Sequence, residues 1–214
     1  MSNLDPATAA FPEPPKVRLR AIEADDLPQL RDWRNGLMEA GTVRQWRYLN
    51  QREQEAWWTR VSDGAEHIML AVEAFINQDA DGGLFAKDDW RLIGVVGLCY
   101  WDHVRQHAEA SIYLGVPTLR GKGYGEAMLT ALCDYGFGKL ALHRIWAEIF
   151  AGNEASKRLF EKARFRHEGT LREHSFHDGK WRDSWIYGLL ADGWWAHKAL
   201  AAVAVSTYGE AAKP

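Results

Sequence analysis

The run Arg120-Gly121-Lys122-Gly123-Tyr124-Gly125 constrains this chain more than any other stretch. It follows a segment with strand character, Glu109 to Leu114. It precedes Met128, Ala131, Leu132 and Tyr135, which fall at i, i+3, i+4 and i+7 and so share one face of a helix. Alternate glycines let the backbone turn tightly and leave no Cβ in the way of a bulky anion. The helix behind them turns its first amide N–H groups, and the positive end of its dipole, toward the same spot. Arg120 and Lys122 add two full charges. A strand, glycine turn and helix in this order suit a phosphate or pyrophosphate; the plainer alternative is a glycine-rich turn with no ligand. Neither common nucleotide loop fits. The G-x-x-x-x-G-K-[ST] pattern is absent, and a dinucleotide fingerprint needs glycine at the sixth position from Gly121, where Glu126 stands.

Around this unit the periodicities predict a regular order of elements. Val17 to Ile22 alternates as a strand, and a helix starts at Asp25 and Asp26 with Leu27, Leu30 and Trp33 on one face and Asn35-Gly36 as its stop. A second helix starts at Asn50, with Glu53 completing a capping box and Trp57, Trp58 and Val61 on its apolar side. His67 to Phe75 and Arg91 to Tyr100 read as strands joined by a polar, Gly-rich loop over Asn77 to Asp89, with Glu109 to Leu114 as the next strand. After the glycine turn come a helix ended by Gly136 and Gly138, a strand in which Ile145, Ala147 and Ile149 alternate with Trp146, Glu148 and Phe150, and a helix capped by Asn153 with Ala155, Leu159 and Ala163 inward. His174 to Phe176 and Trp181 to Leu190 flank Asp178-Gly179, a hairpin signal. The order is β-α-α-β-β-β-α-β-α-β-β: a mixed α+β fold, with helices packed on a sheet that is mostly antiparallel and has one crossover helix before the fifth strand. One domain over about residues 16–195 accounts for it, after a Pro-containing lead over 1–15 and before an Ala-rich tail over 196–214.

Composition narrows the function. With 47% hydrophobic residues the chain has material for a sizeable core. Its 26 basic and 29 acidic residues give a net charge of −3, without the basic footprint of a nucleic-acid binder. The only two cysteines, Cys99 and Cys133, lie in apolar stretches, so neither a disulfide framework nor a four-ligand zinc site is expected. Met1 to Pro15 has no basic and apolar signal-peptide pattern, and no run reaches the ~18 apolar residues of a membrane span. The expectation is a soluble cytoplasmic protein without membrane, nucleic-acid or metal partners.

Arg120 to Gly125 also matches Q/R-x-x-G-x-G/A, and through it the chain resembles the GNAT family of N-acetyltransferases, in which this loop grips the pyrophosphate of acetyl-CoA. Ala108 to Gly115, Leu142 to Ile145, Asn153 to Ser156 and Glu168 to Glu173 are similar to the branch holding ribosomal-protein N-terminal and spermidine acetyltransferases, closely over about residues 90–192. Trp33-Arg34-Asn35 and Val43-Arg44-Gln45-Trp46 are similar, more loosely, to amino-sugar acetyltransferases. The resemblance implies a twisted sheet of about seven strands, in which the strands ending near Leu114 and starting at Arg144 are parallel and splay apart. Ile112, Tyr113 and Leu114 would then pair with the pantetheine arm, Arg120, Gly121, Lys122, Gly123, Tyr124 and Gly125 would hold the pyrophosphate, and Asn153 would touch the cofactor as well as cap its helix. It implies acetyl-CoA as co-substrate, a primary amine acceptor (amino sugar, polyamine, aminoglycoside-like drug or protein N-terminus) and a homodimer.

In such a transfer a neutral amine attacks the thioester and CoA thiolate leaves. An alkylamine is mostly protonated at neutral pH, so a base is needed. Glu109 is the candidate, since it shares a strand face with Ser111 and Tyr113; a solvated carboxylate or an anchor for the substrate ammonium is the alternative. His107, His143 and Glu148 are weaker candidates. Many relatives protonate the thiolate with a tyrosine in a Leu-Tyr pair, where this chain has Leu159-Phe160. Ser156, one turn earlier, is the substitute donor by resemblance to some protein-acetylating relatives. Loss of the tyrosine leaves open a CoA-binding sensor or scaffold without turnover. Ala163-Arg164-Phe165 replaces the usual Leu-Gly-Phe, so Arg164 must end its helix without glycine. Trp46, Trp57, Trp58 and Trp101 are either acceptor-pocket walls or ordinary core. Arg34, Arg44 and Arg47 either bind an acidic group on the acceptor or are solvated surface.

Overall fold

The computed structural model describes residues 14–41, 43–76, 89–177 and 179–210. Most of the expected lead, nearly all of the Asn77–Asp89 loop and Asp178 of the hairpin turn lie outside them. The chain forms β1 (Val17–Ala21), α1 (Leu27–Glu39), α2 (Gln51–Asp63), β2 (Ile68–Ile76), β3 (Asp89–Asp102), β4 (His107–Leu114), α3 (Tyr124–Gly138), β5 (Arg144–Phe150), α4 (Glu154–Lys162), β6 (Arg166–His177), β7 (Lys180–Leu190) and α5 (Ala191–Glu210). The strands make one seven-stranded sheet in the order β1-β2-β3-β4-β5-β7-β6, antiparallel at every junction except β4–β5. This is the mixed α+β architecture expected, with α5 added; the expected domain limit at residue 195 falls inside that helix.

Strand alternation divides the core between the two faces. Val72, Val96, Leu98, Ala108, Ala110 and Ile145 pack with Met128, Leu129 and Leu132 of α3 and with Trp194 of α5. On the other face Ala71 and Val95 meet Leu27 and Leu30 of α1, with Trp33, Trp57 and Trp58 closing over them.

Three local expectations fail for physical reasons. Asn35-Gly36 does not stop α1, which continues to Glu39. The Asn35 amide instead binds ahead, its oxygen accepting from the Leu49 N–H at 2.8 Å and its nitrogen donating to the Leu49 carbonyl at 3.0 Å, and so pins the segment leading to α2. Gly136 does not end α3 either. A Cβ there would stand 2.8 Å from Ile145 Cδ1, so the glycine lets the helix approach the sheet. At α4 Phe160 joins Ala163, the residue after the helix, in the core and Leu159 packs partly against it, while Ala155 faces a cleft. Arg164 solves its problem by itself adopting the left-handed conformation, φ 70°, with the Phe165 N–H bonded to the Phe160 carbonyl at 3.0 Å.

The feature that creates a site is the β4–β5 junction. Their parallel pairing runs only through His107–Arg144, Ala108–Ile145 and Glu109–Trp146. Beyond it β4 continues to Leu114 against β3 alone, and β5 continues to Phe150 against β7 alone. The sheet therefore forks in its middle, and the fork faces the N-terminus of α3.

Candidate active site

Two cavities meet at the fork. One, of about 570 Å³, is lined by Ile112, Tyr113 and Leu114 of β4, by Arg120, Gly121, Gly123, Gly125 and Glu126 of the turn and α3, and by Ala155, Arg158, Leu159 and Lys162 of α4. The other, of about 450 Å³, lies toward α1 and α2, with Arg34, Arg44, Arg60, Glu109, Glu148 and Phe160 among its walls. Ile112, Tyr113, Asn153 and Ser156 line both, so the two spaces join between the diverging strands.

The glycine turn has the geometry its sequence predicts. Gly121 and Gly123 have φ of 76° and 85°, values that residues with a Cβ rarely adopt, and Gly123 caps α3. A Cβ on Gly123 would also lie 3.4 Å from Pro15 Cδ. The helical ladder begins with the Ala127 N–H bonding to the Gly123 carbonyl, which leaves the Gly125 and Glu126 N–H groups at the open end of the helix. Tyr124 is buried in the core, so its backbone and not its ring borders the turn. Lys122 is not among the lining residues, whereas Arg120 is.

Arg158 and Lys162 were not anticipated. They lie with Ala155 and Leu159 at i, i+3, i+4 and i+7, and bring two cations to the cleft wall, Lys162 standing 3.8 Å from Glu126. The spacing was visible, but two apolar members made it read as a core face. A cradle of N–H groups with three flanking cations, continuous with the β4 edge that β5 leaves open, fits a long diphosphate ester with an amide-bearing tail.

Glu109 sits at the last paired rung before the fork and is 2% exposed. One oxygen is ion-paired with the Arg44 guanidinium; the other, Oε2, is buried with no hydrogen bond of ordinary geometry among the described residues, the Glu148 backbone N–H offering the carboxyl only a weak one. Burial pushes its carboxyl above the usual range, Arg44 pulls the other way, and the nearby charge of Glu148 adds to the rise. Arg44 also lies 3.6 Å from Glu148, whose other oxygen is 3.0 Å from His174 Nδ1. Tyr100, another wall residue, has φ 52° at an irregularity in the β3–β4 pairing, a strained backbone bordering the site. The Cys99 thiol in the same wall is pushed up to about 11, by burial first and then by Glu109.

The other expected residues scatter. The Asn153 side chain accepts from the Ser156 N–H at 3.1 Å, which makes it the cap of α4 while it borders both cavities. Phe160 is buried and stacks edge-on against Phe165. Glu148 belongs to the site, whereas His107 faces Asp102 and His143 is exposed. Of the four tryptophans only Trp57 lines the acceptor-side cavity; Trp58 donates to the Ile22 carbonyl, Trp101 packs on the core and Trp46 is exposed. Arg34 and Arg44 line it, and Arg47 pairs with Glu53 instead. Among the described residues no cluster of His, Cys, Asp and Glu could hold a metal ion, and no helix is long and apolar enough to cross a membrane.

Comparison with known proteins agrees with this geometry. An acetyltransferase (GNAT) domain model matches residues 16–166. An uncharacterized N-acetyltransferase of Bacillus subtilis, YoaA, is 32% identical over 57% of this chain and 70% of its own length. The spermidine N(1)-acetyltransferase of Vibrio cholerae is 25% identical over 78% of this chain and 89% of its own, and that of Escherichia coli 26% over 81% and 86%. The crystal structure of the Vibrio cholerae spermidine N-acetyltransferase, in complex with CoA and spermine, superimposes with a TM-score of 0.72 at 24% identity, covering 83% of this chain and 97% of that one. The forked sheet, the glycine turn and the match across most of the chain lead to one assignment: this protein belongs to the GNAT acetyltransferase family.

Proposed function

We propose that the protein catalyses direct transfer of an acetyl group from acetyl-CoA to a small primary amine, with the two substrates meeting at the fork between β4 and β5. Family membership makes the chemistry an acetyl-CoA-dependent N-acetylation of an amine; the residue roles are our reading. Acetyl-CoA, when bound, supplies the activated acetyl carbonyl. The turn from Arg120 to Gly125, with Arg158 and Lys162 beside it, holds the diphosphate, and the edge of Ile112 to Leu114 that β5 leaves open aligns the tail.

Glu109 takes the proton of the attacking amine. The observation that carries this is its buried Oε2, without a hydrogen bond of ordinary geometry, at the last rung before the fork. A buried acceptor without a well-placed donor is costly, and an amine N–H reaching it removes that cost. A carboxyl above its ordinary range is also a stronger base, better matched to neutral pH. Ser156, on the first turn of α4 and bordering both cavities, protonates the leaving thiolate in place of the phenol that Phe160 lacks, and the proton that Glu109 has taken restores its hydroxyl. The reading includes a cytoplasmic enzyme, consistent with two unpaired cysteines, and the homodimer that the family resemblance suggests, which sedimentation would read.

The test is thiol release from acetyl-CoA across a panel of primary amines, with Glu109→Gln beside the native protein. Saturable release, falling in Glu109→Gln by a factor on the order of 10²–10⁴, is the expected result. Release that Glu109→Gln leaves intact would move the base elsewhere. CoA binding without release on any amine would instead indicate a sensor.

A further inference from the structure

The acceptor cavity has an unusual charge balance for a chain whose relatives include spermidine acetyltransferases. Its walls carry three guanidinium groups, Arg34, Arg44 and Arg60, against two carboxylates, Glu109 and Glu148. Both carboxylates are already engaged, Glu109 by Arg44 and Glu148 by Arg44 at 3.6 Å and His174 at 3.0 Å. Arg34 donates from Nε to the Gln45 amide oxygen at 3.2 Å, and among the described residues neither Arg34 nor Arg60 forms an ion pair. The Arg34 charge is felt at Cys99 on β3 and at Tyr113 on β4, so its field reaches across the cavity wall. The remaining lining, with Met69, Trp57, Phe150 and Phe160, offers apolar and aromatic surface to the body of a ligand.

We infer that the amine acceptor carries an anionic group, a phosphate or a carboxylate, held by Arg34 and Arg60 while its amine reaches Glu109. This rests on the acetyl-transfer reading above and names the acceptor class for it. A polyamine would bring its second and third positive charges against two unpaired guanidiniums with no spare carboxylate to receive them, whereas an acidic oxygen group meets planar donors shaped for it. The two arginines come from α1 and α2 and border one cavity, Arg34 half-buried and Arg60 exposed, so an anion held by both would bridge those helices. Glu109 and Arg44 do not supply this selectivity, because their charges largely cancel each other.

The experiment measures kcat/KM by thiol release for matched pairs that differ only in the anion: glucosamine 6-phosphate against glucosamine, and 6-aminohexanoate against hexylamine, with spermidine as the polycation. The expected result is a preference of about tenfold or more for the anionic member of at least one pair. That preference should shrink in Arg34→Gln and Arg60→Gln and fall with added salt. The pair that responds separates phosphate from carboxylate. Equal or better turnover of the anion-free member in both pairs, or of spermidine, overturns the inference while leaving amine acetylation standing. Calorimetry of both pairs against the CoA-bound protein reads the same preference without turnover. Tighter binding of the anionic member of either pair, weakened by Arg60→Gln, supports the inference even if no panel member is acetylated, and equal affinity in both pairs overturns it.

Discussion

At the scale of single residues, two positions hold opposite kinds of tension. Arg44 and Glu109 are 65 positions apart, and nothing in the local sequence pairs them; the segment between α1 and α2 delivers the guanidinium to a carboxylate buried in the sheet. Burial lifts the Glu109 carboxyl and Arg44 restrains the rise. Removing the restraint raises it further, so Arg44→Gln should move the acidic limb of the kcat/KM profile to higher pH. A limb that stays in place or moves down would mean that Glu109 is not the titrating base. Arg164 holds strain of another kind, φ 70° on a residue with a Cβ. Because a left-handed L-residue costs roughly 1–2 kcal/mol, Arg164→Gly should stabilise the fold by about 1 kcal/mol and raise Tm by about 2–4 °C for a chain of this size, as a thermal melt would show. The sequence marks Arg164 as an unusual helix end, because glycine is the expected residue there, but not how the backbone answers.

Elements were legible where one periodicity dominates and were misread where a residue serves a neighbour. β4, α3 and β5 follow from alternation and helical spacing, and the Asn50–Glu53 capping box forms as its residues predict. β6 runs from Arg166, far before the His174 expected, because it is an edge strand whose polar residues face solvent and leave no alternating pattern. Asn35-Gly36 and Gly136 look like stops because the signals for a turn and for close packing are the same residues; only the partner, Leu49 or Ile145, tells them apart. Gly123 is the opposite case, since the turn itself demands it. Gly123→Val should place a branched side chain at φ 85° in the turn proposed to hold the diphosphate and weaken CoA binding about tenfold or more. Calorimetry would measure this, with a melt confirming that the variant is folded; unchanged affinity would remove the turn from the site.

For the whole molecule, the resemblance implied the fork, but the two cavities and the charges on their walls belong to tertiary structure alone. Glu109, Glu148, Arg34 and Arg60 come from β4, β5, α1 and α2, elements far apart in sequence and brought together only by the fold. The forked junction has one more implication. Because the two cavities join at the fork, the proposed reading gives each substrate its own space beside the other, so neither must depart before the other arrives, and no acetylated enzyme has to carry the group between them. Cys99, the thiol nearest that point, stays protonated at neutral pH and so is a poor courier. Double-reciprocal initial-rate plots with both substrates varied should therefore cross, and a family of parallel lines would reveal a relay in place of a meeting.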